Sequence, residues 1–512
     1  MKHVRLLVCL GIISLLCVVI PGCHENTEFL DMFGDNEEYK NLEAVTLTLC
    51  VPGWYEGEVR EYTREVLDEI ERRTRDSIKV KLNLVTLDYI SYESELKRVM
   101  TEGEPCDMYF SFFDQSFNIL KTMSDAGLAL DLTTLFPRYA PHYARLLSPE
   151  DQTALVVDGK LLGVRNNYPE VDRASIVVRD ELLQKYNQGP FQGLGDLEAF
   201  VDTLRKHENG IVALTTTRPL LSIVAPGSGY AVLDYDLALV YKWNDPEMKV
   251  MAWEQTPEYA RILQRASRLI REASGDAMPF PIVTADPILI RNKRWGAWIM
   301  NEGDSAYFNE VLYTAQDDGK FIEFPLFPDV PVQRIAHPPS SWMINPQSKH
   351  PERALMFLEW VHANQKNYDL IRYGIEGKTY VLKGDQFDFP ENVTRQDSYL
   401  ERSGFWDLFM DINFERTHVS CSPDFREKRR DMLLHRSAYP PHGVFQLDFS
   451  GMDTAMRKMM MGEVEWKLLS GGFTADTLKE YIREEKERGI DKLVARVQAQ
   501  LDAFREKRDA SR

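Results

Sequence analysis

The pattern that most constrains this chain lies between Val45 and Phe112, where stretches suited to strands alternate with stretches of helical periodicity. Val45-Thr-Leu-Thr-Leu-Cys-Val51 is β-branched and apolar and is stopped by Pro52-Gly53, so it reads as a strand. From Glu58 to Arg73, Val59, Tyr62, Val66, Leu67 and Ile70 recur at helical spacing. Ile78 to Val85 alternates with period two. Tyr92 to Thr101 carries Leu96, Val99 and Met100 on one side, and Cys106 to Phe112 is a third strand. Strands that alternate with helices are joined by crossovers, and the result is a parallel sheet with helices on both faces.

A second block of the same kind starts near Leu155. Leu155–Val157 and Leu161–Val164 flank Asp158-Gly159-Lys160, a hairpin turn. Ala174–Val178 reads as a strand running into a helix over Asp180–Tyr186; Leu197–Lys206 reads as a helix and Ile211–Thr216 as a strand. Pro257–Ala273 has the spacing of a long helix, and Trp295–Met300 and Ile322–Phe327 are further strands. Pro351–Gln365 is expected to be a helix with Pro at its favoured first position, followed by a helical Tyr368–Tyr373 that stops at Gly374. The tail holds two helices, Asp476–Arg488 and Asp491–Lys507. The second carries Leu493, Val494, Val497, Leu501 and Phe504 on one face and is expected to pack on the body.

At 512 residues and 44% hydrophobic content the chain can bury two or three cores. Its net charge of −18, from 61 basic and 79 acidic residues, comes without a standout basic block and argues against a nucleic-acid partner. Six cysteines are too few for a disulfide scaffold. Cys50 closes the first strand and Cys106 opens the third. Parallel neighbours would place them at opposite ends of the sheet, so they are expected to be small buried hydrophobes rather than a disulfide.

Lys2 and Arg5 precede Leu6–Ile20, an uncharged and mostly apolar stretch of 15 residues. That is shorter than the roughly 20 residues a spanning helix needs and suits a secretory signal. Ile20-Pro21-Gly22-Cys23 resembles the lipobox of bacterial lipoproteins, with Ile where Leu is usual and Pro21 at an uncommon position. The resemblance implies a signal peptide over 1–22, cleavage before Cys23, acyl chains on Cys23 and anchorage to the outer face of the cell membrane, where more than one chain gives stable attachment. His24–Ala44 holds seven acidic residues against Lys40 alone, so 23–44 is expected to be an extended acidic tether.

Motifs of catalysis are not found. No two of the ten His lie three to five residues apart and no Cys-x-x-Cys occurs, so no metal site is expected. Gly227-Ser228-Gly229 lacks the frame of a nucleophile elbow. Gly377-Lys378-Thr379 has Arg372 where a phosphate loop needs Gly, and the surrounding helix and strand are in the reverse order. Neither a cofactor nor catalytic chemistry is expected. What recurs is aromatic residues beside polar ones at strand ends and loops: Trp54 and Tyr55, Asp114 and Gln115, Asn167 and Tyr168, Trp295, and Trp342. Ligands of open α/β sheets bind outside the carboxyl ends of strands. There an aromatic plane can stack on the C–H face of a sugar while a carboxylate or amide meets its hydroxyls. These eight residues are the candidate ligand-binding set.

Several segments taken in order resemble the sugar-binding type of extracellular solute-binding proteins of ATP-driven (ABC) importers, in the lipoprotein subgroup with an extended C-terminal domain. They are Glu102–Phe110, Asp125–Leu132 with Tyr139-Ala-Pro141, Asn292–Ala297, Ser348–Ala354 and Tyr373–Lys378. His350 stands where the subgroup usually has Asn, a better helix cap, and Arg294 and Trp295 also depart from the usual pattern. The resemblance implies a periplasmic-binding-protein-like type II α/β fold, with two lobes, a hinge, a ligand cleft and C-terminal helices. By that analogy lobe one is 45–154 with 295–340, lobe two is 155–294 with 342–450, and 451–512 is a helical extension, with crossings near 154–175, 290–300 and 335–345. It also implies a monomer that captures an oligosaccharide or other small solute and hands it to the permease subunits of an ABC transporter. A non-sugar binder or a sensor coupled to a membrane receptor, and a secreted glycan-degrading enzyme, are the alternatives.

Overall fold

The computed structural model describes residues 41–53, 61–89, 91–111, 119–216, 225–234, 237–259, 295–335, 340–403, 405, 408–445, 447–448 and 475–510, with isolated positions between 261 and 269. The signal peptide, Cys23, most of the tether and most of the helix expected at Pro257–Ala273 lie outside the described residues. So do Trp54, Tyr55, Asp114 and Gln115.

The first α/β block folds as its pattern dictates. Strand β1 (Val45–Gly53) is followed by helix α1 (Glu61–Thr74), β2 (Val80–Asp88), α2 (Tyr92–Thr101) and β3 (Met108–Ser111). β1 runs parallel to β2 from Val45–Val80 to Gly53–Asp88, and parallel to β3 at Leu49–Met108 and Cys50–Tyr109. From Leu47 onward β1 is buried throughout, as expected of a central parallel strand covered on both faces. The last residues of the segment expected to be a tether over 23–44 are already part of the fold. Leu42 already packs on the core, and Arg353 and Lys79 donate to the carbonyls of Glu43 and Leu42.

The hairpin follows, with Val156–Val157 paired to Lys160–Leu161. Asp158 and Gly159 both have positive φ, 50° and 79°, as a tight hairpin turn requires. β4 (Val164–Arg165), β5 (Val171–Asp172) and β6 (Ala174–Arg179) then carry the chain away from the first sheet. Helix α3 (Leu194–His207) and β7 (Val212–Thr216) follow, then a small antiparallel sheet of β8 (Tyr230–Asp234), β9 (Leu239–Lys242) and β10 (Met251–Ala252). β11 (Trp295–Asn301), α4 (Asp304–Thr314) and β12 (Phe321–Pro325) complete a four-stranded sheet in the order β12-β6-β11-β7. β13 (Val332–Arg334) and β14 (Ser341–Ile344) return to the first sheet, whose order is β2-β1-β3-β14-β4.

Two expected boundaries are therefore corrected. Trp295–Asn301 and Phe321–Pro325 pair with β6 and β7, so they belong to the second sheet and not to lobe one. Trp342–Ile344 pairs with β3, and α5 (Pro351–Val361) packs in the first core, so this part of the chain belongs to lobe one and not lobe two. An apolar strand such as Trp-Gly-Ala-Trp-Ile-Met fits the middle of either sheet. Its pairing partners decide, and composition does not report them. The crossing expected at 290–300 is replaced by β15 (Ser437–Ala438), which runs parallel to β13.

α5 is capped by Pro351 at its first turn, and His350 makes no side-chain cap, as the departure from Asn implied. Its residues Arg353–Val361 are all buried, so packing holds it. The helix stops at Val361 rather than Gln365; Asn364 then caps α6 (Gln365–Arg372) by accepting from the Asn367 N–H at 3.0 Å. At the tail, α8 (Ala475–Glu487) precedes α9 (Ile490–Ala510), which buries Val497 and Leu501 against β8–β10, Phe445 and Leu447.

The cysteine expectation is half right. Cys50, Cys106 and Cys421 are free and buried. Cys50 and Cys106 are not at opposite ends, however. Cys50 lies opposite Tyr109, three residues beyond Cys106, and both thiols enter one apolar cluster with Leu96 and Met100. A hydrogen bond to Cys50, then burial, pushes the Cys106 thiol far above its usual range.

Candidate functional site

The two sheets each offer an edge where strands end together. In the first, Gly53, Ser111, Arg165 and Ser341 converge through the registers of β1, β3, β4 and β14. In the second, Asn301 pairs with Ala174, Pro325 with Ser175 and Ile299 with Thr216. The chain leaves the first edge at Arg165 and enters the second at Ala174; it leaves the second at Pro325 and re-enters the first at Ser341. The two crossings pair with each other, Gln333 with Asp172 and Arg334 with Val171. The carboxyl edges of two α/β sheets thus look toward each other across short crossing strands, which is where ligands of such sheets bind.

The crossing is fastened by buried polar groups. Arg165, 2% exposed, pairs with Asp151 at 2.6 Å and donates to the Tyr439 hydroxyl at 3.0 Å. Burial works against its charge, but Asp151 and Tyr439 outweigh burial and raise its pKa. Tyr439 also donates to Asp151, so the segment after β15 is tied to the first sheet. Glu170 accepts from the Ser340 N–H at 3.0 Å, linking the two crossings; burial raises its pKa against the pull of Arg165.

Asn167 belongs to this fastening. Its amide donates to Asp411 at 2.8 Å, Asp411 meets the His362 ring at 2.9 Å, and the His362 ring stacks on Tyr143 with centroids 4.0 Å apart. Among the described residues these contacts tie the crossing to the first core. Tyr168 points to a different group. The Arg429 guanidinium lies over its ring at 5.6 Å, and burial pushes the phenol pKa well up while Arg429 opposes that.

Arg429 lines a cavity of about 600 Å³ at the edge of the second sheet. One wall is Arg173 and Ser175 at the start of β6 and Glu323 on β12. The floor is Glu302 and Ser305, where β11 turns into α4. The roof is α7 (Phe425–Asp431), with Arg436 beyond it. Glu323 accepts from the N–H groups of Gly303 at 2.8 Å and Ser305 at 3.4 Å, capping α4, where a helix N-terminus favours negative charge. Gly303 has φ 95°, a conformation that favours glycine, and a Cβ there would meet the end of the Arg429 side chain at 2.9 Å, so any larger residue would strain the turn and make the guanidinium shift. Burial, with Glu323 adding to it and Arg429 opposing, pushes the Glu302 carboxyl up to about 7. Among the described residues no three metal-ligating side chains gather, and no helix is long and apolar enough to cross a membrane.

Two of the candidate residues are core rather than site. Trp342 is 1% exposed; it faces Phe110, its partner across β3, packs on Phe409, and donates to the Leu408 carbonyl at 2.8 Å. Trp295, 8% exposed, stacks on Trp298 in a cluster with Val177 and Phe308. A strand end allows a ring to point either way, and here both rings turn inward to fill volume. Conversely, Glu302, Glu323 and Arg429 had not been singled out. The signals were present: Glu302-Gly303-Asp304 is a polar turn at a strand's carboxyl end, and Arg426–Arg430 is a short basic run in an acidic chain.

No family model matches the sequence, and no characterised protein matches it by sequence. Solved structures do match. The N-glycan transport solute-binding protein NgtS of Streptococcus pneumoniae superposes with TM-score 0.71 at 15% identity, over 90% of this chain and 98% of that one. FusA of S. pneumoniae, an ABC-transporter substrate-binding protein in complex with kestose, gives 0.62 at 13%, over 90% and 100%. The alginate-binding protein AlgQ2 without calcium ion gives 0.61 at 17%, over 89% and 98%. With its two edge-facing sheets, paired crossings and C-terminal helices, the chain has the two-lobed α/β fold of the solute-binding proteins of ABC transporters.

Proposed function

We propose that this protein captures an oligosaccharide between its two sheet edges and delivers it to the permease of an ABC transporter. The observation that carries the reading is the opposition of two carboxyl edges across paired crossing strands, with a cavity at one of them. Short crossings let the lobes swing as units, and a ligand held by both edges favours the closed arrangement in proportion to its extra contacts there. The fit to NgtS falls from 0.71 to 0.66 for its complex with Man1GlcNAc and to 0.62 for its complex with Man5GlcNAc. The role is binding without turnover.

The N-terminal segment supports export, cleavage before Cys23 and lipid attachment there, with the acidic residues before Leu42 spacing the body from an anionic membrane. Titration calorimetry of the folded chain against a panel of oligosaccharides tests the reading. Saturable binding at micromolar concentration or below is expected, and tight binding to peptides with none to any glycan contradicts it.

A further inference from the structure

The lobes also meet away from the crossing strands. Helix α4 belongs to the second lobe: Phe308 and Val311 pack with Trp298 and Phe321, and the Asn309 side chain exchanges hydrogen bonds with the Phe321 backbone at 3.0 and 2.8 Å. The arm that meets it, residues 385–403 with 411–421, belongs to the first lobe. Tyr399 lies in the first core and donates to the Ile371 carbonyl at 3.0 Å, and Arg416 pairs with Asp369 at 3.0 Å, both acceptors on α6. A polar bridge joins arm and helix. Arg395 Nε donates to Glu310 at 2.7 Å, with side chains 12% and 11% exposed, and the guanidinium lies over the Tyr307 ring at 5.3 Å. The Arg395 N–H donates to the Thr314 hydroxyl at 3.3 Å. Tyr313 donates to Asp388 at 3.2 Å and meets the His418 ring edge-on, with centroids 5.0 Å apart.

A polar contact between lobes separates at modest cost, because its charges return to water. Arg395 also keeps Glu401 of its own lobe at 2.6 Å, so the departure of Glu310 does not strand a guanidinium. The bridge sits on a lever. Glu302, just before α4, donates its N–H to the Arg173 carbonyl at 3.2 Å, beside the crossing strand β5. Glu310 lies about 9 Å along the helix from Asp304. A rotation of about 15° about the crossing moves it by about 2–3 Å, enough to part the ion pair. We propose that this bridge is a latch: it holds the lobes in the arrangement described here, and a swing about the crossing strands proceeds only as Glu310 and Tyr313 leave the arm.

The test measures distances between spin labels in the full chain carrying Cys9→Ser, Cys17→Ser and Cys23→Ser; Cys50, Cys106 and Cys421 are buried. Labels on Lys81→Cys and Lys206→Cys, exposed positions on β2 and α3, report on the two lobes. Labels on Lys81→Cys and Glu104→Cys report within the first lobe. With Glu310→Gln and Tyr313→Phe combined, the distance between lobes should shift or broaden by about 3 Å or more, while the distance within the first lobe stays as it was. Tyr313→Phe alone, at an exposed position, should give a smaller change of the same kind. An interlobe distribution that both variants leave unchanged overturns the proposal. An equal change within the first lobe also overturns it, because the bridge then belongs to that lobe's own packing. No saccharide takes part in these measurements, so their failure leaves the glycan reading intact.

Discussion

At the scale of single residues, chemistry separates side chains that hold the fold from those that meet a ligand. Trp342 gives one contrast. Trp342→Phe leaves a gap beside Phe409 and removes the donor to the Leu408 carbonyl, so we expect a loss of about 1–3 kcal/mol in stability with saccharide affinity unchanged in the folded protein; chemical denaturation and calorimetry read the two separately. Gly303→Ala meets both a positive φ and the Arg429 guanidinium, and should lower stability by about 1–2 kcal/mol and weaken ligand binding, because the strain falls on the cavity floor. Glu359 offers a test by pH. It is fully buried and accepts from the N–H groups of His142 and Tyr143, and burial pushes its carboxyl from 4.5 up to about 7. The folded state therefore binds more protons than the unfolded state between these values, and stability falls as pH rises through that window, by up to about 3 kcal/mol. Unfolding measured from pH 4.5 to 7.5 should show this decline, flattened in Glu359→Gln. Stability that rises over the same range in both proteins would contradict the assignment.

Elements were legible where the deciding forces are local. Helix α2 spans Tyr92–Thr101 as its spacing dictates, and β1 extends through the Pro52-Gly53 that was read as its stop. The Asp158-Gly159 turn formed because those residues tolerate positive φ. Pairing was not legible, since Trp295–Met300 and Ser341–Ile344 are both apolar strands and exchanged their expected lobes. The same limit hid the nearness of Cys50 and Cys106, which depends on where β3 registers against β1. The candidate site was only partly readable. Asn167 and Tyr168 do lie at a crossing, but Asn167 fastens Asp411, and Arg429 reaches Tyr168 from a helix some 260 residues later. At this scale the Arg165–Asp151–Tyr439 cluster should act as one unit. Asp151→Asn strands a buried guanidinium, with an expected cost of about 3 kcal/mol. Tyr439→Phe added to it should cost less than it does alone, which a double-mutant cycle measures.

Over the whole molecule, the architecture joins a first core and a second sheet through two-residue and three-residue crossing strands that buried polar groups tie together. Replacing Cys23 with Ala should release the full-length protein from the membrane fraction, and fatty-acid labelling should disappear with it. The claim on which the rest depends is that ligand closes the lobes. Small-angle X-ray scattering on the folded chain, with and without a saturating oligosaccharide identified by calorimetry, measures it directly. A smaller radius of gyration in the bound state is expected, and an unchanged radius at full saturation would contradict capture by lobe closure.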